Sequence, residues 1–230
     1  MPIPSVIETE PGTLPARERV LATVRNWIID GDLAPGEIIR DAEIADALNV
    51  SRTPVREALL QLRSESLVEM KPKGWTQVKL LDLREAEKLL PVVVDLEALA
   101  SRLAAENPRR YLTTAEQAQR DLVALVEHSG RPPSAEEAQE ILQANDAFHI
   151  AVAEIADNPF LVNALLPLKA LMRRYERIYF GRATVIDEAS LREHDLIIEA
   201  IRRGDGDEAA RLAISNFSNS PFAIGTNGAR

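Results

Sequence analysis

Val50-Ser51-Arg52-Thr53-Pro54-Val55-Arg56-Glu57-Ala58-Leu59 places hydroxyls and two arginines on the opening turns of one short segment. At about 100° per residue, Arg52, Arg56 and Arg63 fall within roughly 40° of one another on a helix. Val55, Ala58, Leu59 and Leu62 form a separate apolar face that can pack on a preceding helix. Pro54 has no N–H and belongs in a first turn, so the helix must begin close to it. Ser51 or Thr53 can cap that end. The result is a donor-rich helix start, suited to phosphate oxygens and guanine edges in a DNA major groove.

The neighbouring elements agree with that chemistry. Ala16 to Asp30 reads as an amphipathic helix, with Val20, Val24, Trp27 and Ile28 on one side, ending at Gly31. The turn Leu33-Ala34-Pro35-Gly36 follows. Asp41 can cap a second short helix, Ala42 to Leu48, and Asn49-Val50 links it to the arginine helix, giving helix-turn-helix organisation. Leu67-Val68-Glu69-Met70 and Trp75-Thr76-Gln77-Val78 read as two short strands around Lys71-Pro72-Lys73-Gly74, a wing with a basic tip.

Residues 15–80 thus resemble the DNA-binding domain of the GntR family of bacterial transcription regulators. The carrying residues are Leu33-Ala34-Pro35-Gly36, Ile44-Ala45-Asp46-Ala47-Leu48, Val50 to Leu59, Leu67-Val68 and Gly74. The resemblance implies DNA contacts from Ser51, Arg52, Thr53 and Arg56 and a wing tip at Lys73 and Gly74. Arg40, Pro54 and Lys71 complete the expected DNA-binding set. Ser66 stands where the family usually has glycine, predicting a strained turn. Ala42 replaces an arginine that some members carry.

The 230 residues bear a formal net charge of −9. Residues 1–80 hold 10 Lys/Arg against 12 Asp/Glu, and the remainder 17 against 24. Such a chain is no general polyanion binder, so attraction to DNA must come from a local patch and be strongly salt-dependent. Cysteine is absent, which excludes disulfides, thiolate metal sites and cysteine nucleophiles. No apolar run reaches membrane-spanning length and no signal-peptide core is present, so a cytoplasmic protein without membrane partners is expected. Residues 1–12 read as a loose arm, 13–80 as the winged-helix domain, 81–220 as an all-helical domain and 221–230 as a tail.

From Asp82 the periodicity is helical throughout, and six helices are predicted: Asp82–Glu106, Thr113–His128, Ser134–Ala156, Pro159–Tyr179, Ile186–Arg203 and Gly206–Phe217. Asn107-Pro108, Gly130-Arg131-Pro132-Pro133 and Asn158-Pro159 punctuate three junctions. Ser134 with Glu137, and Asp205 with Glu208, have capping-box spacing. Pro91 and Pro167 are internal and should kink or locally open their helices. The fold class is therefore mainly α, a winged helix followed by an all-α bundle.

Polar residues sit inside that bundle's apolar faces. His149 lies among Leu142, Val152 and Ala156 with Asn145 one turn earlier; His194 is flanked by Leu191, Ile198 and Ile201; Asn216 follows Ala209, Leu212 and Ala213. For each alone a hydrogen-bonded core residue is the simple reading, yet three helices each aim such a group inward. The set resembles the effector-binding FCD domain of the FadR branch, in its shorter, VanR-like form. The markers are Asn145-Asp146-Ala147-Phe148-His149, Asn158-Pro159-Phe160-Leu161, His194 with Ile198-Glu199-Ala200-Ile201, and Gly204-Asp205.

In many members an Asp and three His at these positions hold a divalent metal. The resemblance therefore implies a zinc- or nickel-class ion at Asn145, His149, His194 and Asn216, with amides replacing two of the four ligands. Asp146 can substitute if its helix rotates slightly. Val93 replaces an arginine that would meet a ligand carboxylate, leaving Arg173, Arg174 or Arg177 to supply charge. Expected effector contacts are Asn145, His149, Arg173, Arg174, His194 and Asn216. The reading is a dimeric repressor, not an enzyme, released from operator DNA by a small-molecule effector such as an organic acid. Its rivals are a constitutive DNA binder with a decayed pocket, and a metal-dependent enzyme on the Asn145, His149, His194 cluster, which lacks a carboxylate base of clear spacing.

Overall fold

A computed structural model describes residues 14–72, 74–107, 112–129, 133–177 and 186–218. The arm at 1–12, the tail at 221–230 and Lys73 lie outside the described residues. The chain divides into two compact units after Asp82.

In the first unit, α1 (Ala16–Ile29) buries Val20, Val24, Trp27 and Ile28, the stripe legible in its sequence. It packs on α3 (Arg52–Ser64), whose Val55, Ala58, Leu59 and Leu62 are buried. Arg25 of α1 reaches the Glu65 carboxylate through two hydrogen bonds of 2.9 and 2.6 Å, locking the two helices at one end. Between them runs α2 (Asp41–Ala47).

A strand absent from the sequence reading, β1 (Ile38–Ile39), joins β2 (Val68–Met70) and β3 (Thr76–Val78) in an antiparallel sheet ordered β1-β3-β2. Two residues carry too little pattern to announce a strand. Its partner across the sheet decides it, with Ile38 opposite Gln77 and Ile39 opposite Thr76. Gly36 sets up this strand at φ +83°, and an added Cβ would lie 3.2 Å from the Leu80 side chain.

Asp41 does not cap α2 as expected. Arg40 is the extended N-cap residue, and Asp41 is the first helical residue, where its charge suits the helix dipole. Its carboxylate instead accepts from Arg56 Nε at 2.8 Å. Ser51 is the N-cap of α3 but makes no side-chain capping bond. Ser66 has φ +59°, so the turn into the wing holds a side chain in the left-handed region, as its departure from glycine predicts.

The second unit contains α4 (Leu83–Glu106), α5 (Leu112–His128), α6 (Ala135–Ile155), α7 (Pro159–Tyr175), α8 (Glu188–Arg202) and α9 (Gly206–Ser218). Ser134 and Glu137 form the full capping box of α6. Asp205 accepts from the Glu208 N–H at 3.1 Å at the start of α9. Pro91 and Pro167 lie inside α4 and α7, which run continuously through them. The core gathers Phe148, Val152, Ile155, Ile197, Ile198, Ile201 and Leu212, with Leu122, Ile141 and Leu191 in a second cluster. The α4–α9 pair packs closely: a Cβ on Gly206 would come 2.9 Å from the Arg102 carbonyl oxygen.

Candidate functional site

Two sites emerge, one in each unit. Arg52, Thr53, Arg56 and Arg63 of α3 and its N-cap Ser51 are exposed, the arginines about a quarter-turn from the buried stripe, and Pro54 is half-buried. This is the arrangement that the helical spacing predicts. Arg40, Arg56 and Gly74 come together on the rim of a groove of about 700 Å³ between β1, α3 and the wing, with Ile38, Leu60, Met70 and Trp75 also lining it. The wing turn is tied by Gly74 N–H to the Lys71 carbonyl at 2.9 Å, with Gly74 at φ +87°.

The electrostatics of this face are more restrained than a basic patch. Arg56 pairs with Asp41 at 2.8 Å, Arg40 with Glu43 at 2.8 Å and Lys71 with Glu69 at 2.5 Å. Of the two lysines expected at the wing tip, Lys71 pairs with Glu69, and Lys73 lies outside the described residues. Among the described residues, Arg52 stands on this face without such a carboxylate. Exposed pairs of this kind are weak and exchange readily for phosphate. Arg56 is thus held by Asp41 while its side chain stays exposed.

The second site lies at the centre of the helical unit, and each of its six described helices contributes to it. Glu97 of α4 and Lys169 of α7 form a buried ion pair at 2.9 Å, their side chains 1% and 6% exposed. Lys169 also reaches Asp146 of α6 at 3.4 Å, and Arg173 holds the other oxygen of Asp146 at 3.2 Å. His149 turns Nδ1 toward Glu97 at 3.5 Å. Its ring lies 5.0 Å from that of His194 on α8 and 4.9 Å from Phe217 on α9, centre to centre. Phe148 stacks on His194 at 4.0 Å. The Lys169 ammonium sits 5.3 Å from the centre of the Phe217 ring.

Gln119 of α5 orients His194. Its amide nitrogen donates to the Leu191 carbonyl at 2.9 Å and to Asp195 at 3.2 Å, which leaves its oxygen facing His194 Nδ1 at 3.0 Å. An amide oxygen only accepts, so Gln119 favours a proton on Nδ1 of neutral His194. Its Nε2 is buried, and a side-chain hydrogen bond with Asn216 opposes the lowering of the ring's pKa. The amide nitrogen of Asn216 is engaged with Glu193 at 3.0 Å, which leaves its carbonyl oxygen for the ring.

Charge and burial set the protonation states. Burial opposes ionisation of Glu97, but Lys169 and His149 outweigh it and bring the carboxyl down to about 2. Burial also opposes the charge on Lys169, and Glu97 with Asp146 overrides it, so its pKa is raised. His149 is lowered by burial and then by Lys169, against the pull of Glu97. His194 falls well below the usual imidazole range, through burial and then through His149 and Lys169. Both rings are neutral at pH 7. Glu176, half-buried just beyond α7, is pushed up to about 7 by desolvation and by Asp146.

The structure thus brings His149, His194 and Arg173 into one polar core, with Asn216 beside His194. Asn145 is half-buried one turn before His149. Arg174 is fully buried, and desolvation lowers its guanidinium to about 10. Sequence reasoning missed Glu97, Gln119 and Lys169. The available signal was a charged or amide side chain on an apolar stripe: Lys169 follows Leu165 by four residues and precedes Met172 by three. The carboxylate whose absence counted against an enzyme is also present, as Glu97, but Lys169 already claims it.

The donor set fits a divalent metal poorly. Two neutral imidazoles and two carboxamides bring no negative charge, and the adjacent carboxylates, Glu97 and Asp146, are paired with an ammonium. Asp146 is held by Lys169 and Arg173 rather than turned toward the histidines as a substitute ligand. Among the described residues, no group of three or more His, Cys, Asp or Glu is arranged to hold a metal ion.

Comparison with known proteins agrees with this division. Residues 16–78 match the family described as bacterial regulatory proteins, gntR family, and residues 88–218 match the FCD domain. The HTH-type transcriptional repressor RspR of Escherichia coli is 25% identical over 86% of this chain and 84% of its own length. The galactonate operon transcriptional repressor of the same organism is 26% identical over 90% and 96%. Among solved structures, Escherichia coli McbR/YncC superimposes with a TM-score of 0.70 at 22% identity, covering 95% of this chain and all of that one, a likeness of fold. Among the described residues, no helix is long and apolar enough to cross a membrane. The chain belongs to the GntR family of bacterial transcription regulators, with a winged helix-turn-helix unit followed by an FCD domain, and it is a DNA-binding regulator rather than an enzyme.

Proposed function

We propose that the protein is a cytoplasmic, dimeric repressor that leaves its operator when a small-molecule effector binds the helical unit. The observation that carries this reading is the exposed face of α3, where Arg52 and Arg56 stand clear of the buried stripe beside a wing. Two such units related by a two-fold axis would read the halves of a short inverted repeat. Relatives named as repressors support the direction of regulation. The polar core around His149 and His194 supports the effector site, because buried charged and polar groups with shifted pKa values gather at functional sites. Coupling of a few kcal/mol between the two sites is enough to release an operator.

The test begins with selection of binding sequences from randomised duplex DNA. An enriched inverted repeat, bound by a sedimentation-defined dimer, is expected. Random sequence bound as tightly as the enriched one would count against the reading.

A further inference from the structure

We infer that the helical unit pairs with a second copy of the chain through the outer face of α7 and the adjoining flank of α4, with the two-fold axis passing close to Asn163. The inference deepens the dimeric reading above and rests on it.

α7 carries two stripes, and the unit uses one of them. Leu161, Leu165, Lys169 and Met172 are buried against the other helices. Phe160, Asn163, Ala164, Pro167, Ala170 and Leu171 repeat at the same three- and four-residue spacing on the other side, exposed or half-buried. Phe160 is 85% exposed. Asn158 fixes its place, since its carboxamide oxygen accepts from the Phe160 and Leu161 N–H groups at 3.1 and 3.2 Å and starts the helix there. From Pro159 to Leu171 the one charged side chain is Lys169, which turns inward to Glu97. The other helices of the unit expose charges, among them Lys88, Arg120, Glu140, Arg192 and Arg211. Single exposed apolar residues are ordinary, but a helix that is uncharged on both sides is one that is covered on both.

The patch continues onto α4. Tyr175 donates to Glu85 at 3.3 Å and Lys169 meets Glu97 at 2.9 Å, so α7 runs antiparallel to α4. Val92, Leu96, Leu99 and Leu103 follow Glu85 at helical spacing, on the flank of α4 that turns toward α7. All four are exposed or half-buried. One helix face is small beside the roughly 800 Å² per partner of a standard interface. Two adjoining faces meeting their copies make a four-helix packing of the kind that bundles use.

The lack of charge also selects the occupant. A two-fold axis sets each residue near it against its own copy, so like charges there repel. The chain carries a formal charge of −9, and the outer face of α7 lets two copies meet without bringing like charges together. A partner recognised by opposite charge would find nothing there to pair with. Asn163, the polar member of the stripe, suits a position at the axis, because a carboxamide both donates and accepts and so satisfies its own copy.

Sedimentation of the full-length protein tests the pairing. The parent is expected to be a dimer, and Phe160→Glu with Ala164→Glu a monomer, its dimer dissociation constant raised by about a hundredfold or more through like charges meeting at the axis. Phe160 is the second residue of α7, where a negative charge suits the helix N-terminus, so the circular dichroism spectrum should stay that of the parent. Because the chain has no cysteine, Asn163→Cys supplies one thiol per copy. A short bis-maleimide should link that variant into a covalent dimer and leave Ala124→Cys, exposed on α5, unlinked. A dimeric parent whose glutamate variant stays dimeric overturns the inference and leaves the dimeric reading standing. Failure of Asn163→Cys to link under the same conditions does likewise, and decides alone if the glutamate variant unfolds. A parent that is monomeric while it binds the enriched repeat ends both.

Discussion

Replacing Glu97 with Gln should be among the most damaging single changes in the helical unit. At 2.9 Å and an effective dielectric near 20, the pair with Lys169 is worth roughly 6 kcal/mol before desolvation is subtracted. Removing one partner of a buried pair generally costs about 3–5 kcal/mol, because the other charge is stranded. Asp146 still reaches Lys169 at 3.4 Å, so the lower end of that range applies, about 3 kcal/mol. The depression of Glu97 from 4.5 to about 2 leads to the same figure at roughly 1.36 kcal/mol per pKa unit.

Urea unfolding followed by circular dichroism reads the change directly, and the melting temperature should fall by roughly 6–12 °C. The companion variant Glu97→Gln with Lys169→Met replaces the pair by neutral groups of similar length. Asp146 keeps Arg173 at 3.2 Å, so most of the stability should return, to within about 1 kcal/mol of the parent. A Glu97→Gln protein within about 1 kcal/mol of the parent would refute the reasoning. A double variant as unstable as the two single losses added together would refute it equally, because it would show no coupling between the residues.

Other expectations concern DNA, pH and backbone strain. Arg52→Ala and Arg56→Ala should each cost about 1–3 kcal/mol in operator affinity by gel shift, with unfolding of the helical unit unchanged. Normal operator binding by the double variant would remove the assigned face. Asp41→Asn releases Arg56 from its carboxylate and should raise affinity for random duplex DNA severalfold, more than affinity for the operator; equal effects would show that the pair does not restrain non-specific binding.

His149 and His194 have folded pKa values below their unfolded ones. Their contribution to stability is level above about pH 6.5, and it declines as acid protonates the unfolded rings first. Glu176, raised to about 7, runs the other way between pH 7 and 4.5, so the urea midpoint is best followed from pH 8 to 5 in Glu176→Gln; a flat profile there contradicts the buried neutral rings. Ser66→Gly relieves a side chain held at φ +59° and should stabilise the winged unit by about 1 kcal/mol in chemical unfolding, whereas a loss would mean that the serine side chain is needed there.

The residues that announce themselves in the sequence are those governed by local rules. The buried stripe and arginine face of α3 follow from helical spacing alone, and the strained Ser66 from a missing glycine. The Ser134–Glu137 box needs only four consecutive residues, so its reading depends on nothing distant. The six helices of the second unit were legible to within a few residues at their described ends, since apolar period and Pro, Asn or Gly punctuation act over short range.

What the sequence left open depended on partners far along the chain. Strand β1 exists because β3, some 38 residues later, supplies its hydrogen bonds. Asp41 became an arginine partner rather than a cap because α3 brings Arg56 to it. In the polar core the sequence by itself determined that His149, His194 and Asn216 lie on inward faces. Only the tertiary structure decided that Lys169, 72 residues from Glu97, enters the same space, and that Gln119 and Asn216 are the amides His194 meets there. Apolar periodicity places a side chain on a face; the charge and the hydrogen-bond direction it meets there are set by the other helices of the bundle.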